Sequence, residues 1–140
     1  MKALTFKIEH GDWSADLQLP ADYDLDDLAY AILEAVGFEC DHAYGFYDNL
    51  KNPYHSKQEY TLFATLGENA KPDDPGVEGT LIGTVFKPKK KLLFLFDYGD
   101  DWRFLVTCTG EADARAFKRP KLLAESGTPP TQYPDIDDDV

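Results

Sequence analysis

The segment LLFLFDYGDDWRF, residues 92–104, carries the densest group of side chains able to do chemistry: Asp97, Asp100, Asp101 and Arg103. Neighbouring carboxylates can hold a hard divalent cation through their oxygens, and a cation so held can polarise a substrate bond. Their spacing does not match a helix–loop–helix calcium loop, which alternates oxygen ligands over about twelve residues and ends on a Glu. The same residues also have a purely architectural use. Asp and Gly shape tight turns, and an Asp here can accept backbone amides or pair with Arg103.

A second group is Asp41-His42 with Tyr44 and Tyr47. An imidazole can act as a general base when a carboxylate orients it. If residues 42–47, HAYGFY, form a strand, neighbouring side chains point to opposite faces, and Asp41 is badly placed to orient His42. No Ser or Cys stands in a nucleophile-elbow context, so a hydrogen-bonded structural histidine is the simpler expectation. Phe94, Phe96, Tyr98, Trp102 and Phe104 form a third group. Aromatic platforms can stack bases, but they normally do so beside basic residues, whereas the flanking charges here are acidic. Cross-strand core packing accounts for these rings. Neither a dinucleotide-binding glycine pattern nor a Walker-type phosphate loop is present, and no cofactor is expected.

The elements that must position these residues follow from periodicity. Leu4, Phe6 and Ile8 alternate as a strand over 3–9, and Trp13, Ala15, Leu17 and Leu19 as a second, with Gly11-Asp12 turning between them. Asp24 is a good N-cap for a helix whose stripe is Leu25, Leu28, Ala29, Ile32 and Val36, and Gly37 is a natural stop. Residues 42–47 predict a third strand, and 91–98 and 102–109 two more. Between Asp48 and Gly79 the pattern is irregular, apart from an apolar patch at Tyr60–Leu66. The expected fold is α+β: a mixed or antiparallel sheet of about five strands against one long N-terminal helix, in the order β-β-α-β-loop-β-β. Residues 1–110 are expected to form that single domain, and 111–140 an acidic, Pro-containing, partly mobile extension.

Composition limits the function classes. The chain has 140 residues and a formal charge of −12, from 26 acidic against 14 basic side chains. Such a field repels a phosphate backbone, so nucleic-acid binding is disfavoured unless Lys87, Lys89, Lys90, Lys91 and the three arginines, Arg103, Arg115 and Arg119, converge. A basic protein is the natural partner. No run approaches the ~20 apolar residues of a membrane span, and no signal peptide is evident, which predicts a cytoplasmic protein. Cys40 and Cys108 are not paired in a metal-binding pattern and are expected to be free, buried thiols.

The segments LPADYDLDDLAYAILEAVGFECDHAYGFYDN, LLFLFDYGDDWRF and PPTQYPD resemble the plasmid pRiA4b ORF-3-like family, also described as insertion-element passengers with a resolvase-type label. The resemblance implies a compact α+β domain and a link to mobile elements. It implies no established activity, cofactor or catalytic residue, so no role passes to positions here. The leading expectation is a non-enzymatic protein-interaction or mobile-element accessory module. The alternative is a metal-dependent hydrolase-like or small-ligand domain using the turn at 97–101, with Asp97, Asp100, Asp101, Arg103, His42 and Tyr44 as binding residues. A nucleic-acid-associated role ranks third.

Overall fold

A computed structural model describes residues 2–66, 75–113 and 120–133. Its frame is one antiparallel sheet of seven strands: β1 (Lys2–His10), β2 (Trp13–Pro20), β3 (Tyr44–Tyr47), β4 (Glu59–Thr61), β5 (Lys91–Phe96), β6 (Trp102–Asp113) and β7 (Lys121–Ser126). Their spatial order is β4-β3-β5-β6-β1-β2-β7. The helices are short: α1 (Leu25–Val36), α2 (Leu62–Leu66) and α3 (Ile82–Val85).

This corrects the expectation of about five strands against one long helix. The molecule is mainly sheet, and α1 has 12 residues. The two unforeseen strands are the edges. β4 has three residues, too few to show a period, and all six residues of β7 are exposed, so β7 has no apolar face to read. Nor does the sheet end at residue 110, because β6 runs to Asp113 and β7 pairs with β2 from Ser14↔Ser126 to Gln18↔Lys121. Residues Arg115, Arg119 and 134–140 lie outside the described part of the chain.

The core forms where alternation places apolar side chains on one sheet face. Leu4, Phe6 and Ile8 of β1, Trp13, Leu17 and Leu19 of β2, and Phe104 and Val106 of β6 pack against Leu25, Leu28, Ile32 and Val36 of α1. Phe94 and Phe96 of β5 join the same face, whereas Leu93 and Leu95 build a smaller cluster on the other with Tyr47 and Tyr98. Tyr98 therefore does not share the face of Phe94 and Phe96, since the chain leaves the strand at Phe96.

The ends of α1 are set by local chemistry. Asp24 Oδ1 accepts from Asp27 N at 2.9 Å, and Asp27 Oδ2 accepts from Asp24 N at 3.0 Å, a reciprocal cap. Gly37 takes φ 83°, a left-handed conformation that turns the chain and delivers Phe38 into the core. Phe38 then meets Trp102 edge-on at 4.9 Å. The segment 39–43 that leaves this cap carries Asp41 and His42.

Candidate functional site

The turn between β5 and β6 is built by Asp97. Its φ of 62° is left-handed, a region Asp tolerates because its short carboxylate bonds locally. Asp97 Oδ1 accepts the amides of Gly99 and Asp100, both at 3.2 Å, and its carbonyl accepts from Asp101 N at 2.6 Å. Asp101 turns the other way, with its Oδ1 accepting from Arg103 Nε at 3.0 Å. The Arg103 guanidinium also donates to Lys51 O at 3.3 Å, fastening the loop after β3 to this turn. Asp97 is buried, while Asp100 and Asp101 are exposed. The Asp97 carboxylate thus caps the turn and the Asp101 carboxylate pairs with Arg103. Among the described residues, no three His, Cys, Asp or Glu side chains are grouped to hold a metal ion.

His42 lies beside this turn. Its Nε2 is 3.4 Å from Asp97 Oδ2, 3.7 Å from Asp41 Oδ1 and 2.9 Å from the Tyr133 hydroxyl. Tyr133 donates to Asp41 Oδ2 at 2.7 Å, which leaves its oxygen to accept from His42. Gln132, in turn, donates through Nε2 to Asp41 Oδ1 and to Glu39 O, both at 3.1 Å, and accepts from Glu39 N at 2.8 Å. Residues 132–133 therefore clip the chain onto segment 39–42. Asp41 touches His42 chiefly through the Tyr133 hydroxyl, and the strand-alternation argument does not govern residues 41–42, because β3 begins only at Tyr44.

On the side of His42 facing α1, an open groove of about 400 Å³ is lined by Asp26, Tyr30, Cys40, Asp41, His42, Ala43, Tyr44 and Leu62. The Tyr44 hydroxyl donates to Asp26 Oδ1. Burial, followed by the neighbouring Asp26 carboxylate, pushes the Tyr44 phenol far above its ordinary range. The Tyr30 phenol is raised chiefly by its hydrogen bond with Cys40. Burial of the sulfur, with the Asp26 and Asp41 charges adding to it, raises the Cys40 thiol. That is the opposite of an activated nucleophile. The Tyr133 phenol is raised to about 12, first by its hydrogen bond to Asp41. The groove thus combines tyrosine rings with two carboxylates that have no Lys or Arg in the lining.

Of the six residues named from sequence, Asp97 and His42 meet directly, and Tyr44 shares the groove with His42. Asp100, Asp101 and Arg103 stay on the turn and take no part in the groove. Sequence reasoning missed Asp26, Tyr30, Gln132 and Tyr133. Asp26 and Tyr30 sit four apart, on one side of a helix, a signal that was present but reads equally as a solvated face. Gln132 and Tyr133 lie in Pro-rich text with no periodicity to announce them. Cys108 is buried as expected, whereas Cys40 is exposed at the rim of the groove.

The condition set for nucleic-acid contact is not met by the described residues. Lys91 pairs with Thr107 and Leu95 with Arg103, so Lys87–Lys91 and Arg103 occupy opposite ends of the β5–β6 pair. No helix among the described residues is long and apolar enough to cross a membrane.

Among functionally curated proteins, none matches the chain. Among solved structures, the chain is similar to the crystal structure of a protein of unknown function from Methanosarcina mazei Go1, with a TM-score of 0.72 and 18% identity. The match covers 94% of this chain and 72% of that one. At that identity the likeness speaks for the fold. The model of the plasmid pRiA4b ORF-3-like protein family matches residues 12–136, which takes in α1, the Asp97 turn and the Gln132-Tyr133 clip together, and the chain belongs to that family.

Proposed function

We propose that this domain is a non-enzymatic interaction module that engages a basic protein partner through the groove between α1 and β3. The observation that carries this reading is the composition of that groove. The Asp26 and Asp41 carboxylates stand beside Tyr30 and Tyr44, and the lining holds no lysine or arginine. A cationic side chain entering it would meet the two carboxylates beside the exposed Tyr30 ring, a combination favourable to guanidinium and ammonium groups. The formal charge of −12 would steer such a partner toward the surface and make its capture sensitive to salt. The hydrogen-bonded state of His42, and a Cys40 thiol raised rather than lowered, support binding in preference to turnover.

The test is affinity capture from the host lysate at low and high salt, with wild type and Asp26→Asn side by side. The reading expects a basic protein held by wild type at low salt, released at high salt, and weakened several-fold by Asp26→Asn. Equal recovery of the same proteins by both forms would refute the assignment of the groove.

A further inference from the structure

A second groove, on the far side of the Asp97 turn, has the opposite character. The loop 48–57 between β3 and β4 is held in shape by its own hydrogen bonds. Asp48 Oδ1 accepts from Lys57 N at 2.9 Å, and Asn49 Oδ1 accepts from Lys51 N at 3.2 Å and Asn52 N at 2.9 Å. Ser56 Oγ accepts from Asn49 N at 3.1 Å. A 3₁₀ turn at Pro53–His55 completes it, and Arg103 bolts Lys51 O to the β5–β6 turn. A loop so fixed holds its backbone ready, so binding need order only its side chains.

What it presents is positive. The open groove of about 330 Å³ is lined by Asp48, Asn49, Leu50, Lys51, His55 and Lys57. In a chain with nearly twice as many Asp and Glu as Lys and Arg, two lysines and a histidine line this groove. Among the described residues, neither lysine has a carboxylate within ion-pair distance. The one carboxylate in the lining, Asp48, has Oδ1 engaged by the Lys57 amide. His55 is pre-set as well. Asn52 Nδ2 lies 3.1 Å from His55 Nδ1, and an amide NH₂ donating there leaves Nε2 as the ring nitrogen able to donate to a ligand.

We propose that this groove binds the dianionic phosphate group of a small phosphate monoester, held by the Lys51 and Lys57 ammoniums and the His55 Nε2–H. Two point charges and one directed donor suit a tetrahedral oxyanion better than a planar carboxylate, which favours bidentate guanidinium. The groove exceeds a single phosphate, leaving room for part of the group that carries it, with Leu50 as an apolar wall. The molecule's overall negative field opposes anions at a distance, so recognition here is short-range and depends on both lysines.

The experiment is an amide NMR titration of the intact chain with inorganic phosphate and, separately, a nucleoside monophosphate, each against sodium chloride of equal ionic strength. The proposal expects saturable shifts concentrated at Lys51, His55 and Lys57 with the phosphate probes and none with chloride. Lys51→Ala/Lys57→Ala should abolish them while leaving the remaining spectrum and the melting temperature unchanged. Tighter binding of the monophosphate than of inorganic phosphate extends the site to the carrier group, and equal binding places recognition on the phosphate alone. Shifts spread over Lys87–Lys91 as strongly as over the loop, or shifts surviving the double substitution, overturn the proposal. Its failure leaves the α1–β3 groove untouched, since the two share no residue.

Discussion

Tyr133 and Asp41 lie 92 positions apart in sequence and 2.7 Å apart in space, hydroxyl to carboxylate. That bond, with the Gln132 bonds beside it, makes residues 132–133 part of the wall behind His42. It also gives the site a measurable alkaline limit. The Tyr133 phenol is raised to about 12 in the folded chain, against about 10 for a free tyrosine. Between those values the folded form keeps a proton that the unfolded form has lost. The stabilisation is therefore complete below about pH 10 and is lost as pH rises toward 12. Urea midpoints measured across that window should fall less steeply in Tyr133→Phe than in wild type. Parallel slopes would mean the bond is not formed in solution.

Trp102 packs against the core beside Phe38 and His10, yet its indole N–H is buried with no partner among the described residues. Trp102→Ala should cost about 3–5 kcal/mol in urea unfolding, through lost contacts and the cavity left behind. Trp102→Phe should cost far less, because it keeps much of the ring and removes an unsatisfied donor whose burial costs about 1–3 kcal/mol. Equal losses from the two variants would show that the N–H is satisfied in solution.

Asp97 should tolerate Asn and not Ala. Asn keeps an acceptor for the Gly99 and Asp100 amides and is at ease at φ 62°, whereas Ala loses both bonds and suffers the left-handed penalty of about 1–2 kcal/mol. Thermal melts should rank wild type, Asp97→Asn and Asp97→Ala in falling order. A large loss in Asp97→Asn would instead assign the stabilisation to its charge opposite His42.

The two thiols should separate by reactivity. Cys40 is exposed but raised by burial of its sulfur, so alkylation by iodoacetamide should accelerate with pH to a midpoint above the ordinary thiol value of about 8.5. Cys108, fully buried in β6, should react only on unfolding. Mass spectrometry after native and denatured labelling distinguishes them.

Gly127 closes the sheet edge. Its φ is 79°, and a Cβ there would lie 2.0 Å from the Asp12 carbonyl oxygen. Gly127→Ala should therefore pull Lys121–Ser126 away from β2, break the 2.8 Å bond from Trp13 Nε1 to Glu125, and raise amide exchange across β7. Unchanged exchange in that strand would show that the turn relaxes without releasing it.

How far the fold can be read from the chain depends on how each element earns its place. α1 announces itself through its stripe, its Asp24 cap and Gly37, because a half-buried helix needs all three. β1, β2, β5 and β6 are legible because each presents a buried face to the core. β7 is held chiefly by backbone bonds to β2 and presents no buried face, and β4 is only three residues long, so neither leaves a periodic trace. The site divides the same way. The Asp97 turn is local and could be expected from Asp and Gly alone, whereas the Tyr133–Asp41 bond is a tertiary contact between two unpatterned stretches. The strand order is hidden for the same reason, since no local feature of β1 states that its second neighbour is β6.

That strand order governs when the chain can fold. β1, which precedes the other strands in sequence, is sandwiched between β2 and a strand ending at Asp113, with Lys2 opposite Asp113 itself. During synthesis the β1–β2 hairpin must therefore wait, with the outer backbone edge of β1 unpaired, until β6 has emerged from the ribosome. Pairings so distant in sequence close slowly, so folding should be slow for a chain of this length and the unfinished hairpin should be the species that chaperones meet. A nascent chain halted before Trp102 would hold its N-terminal strands without the neighbour that completes them.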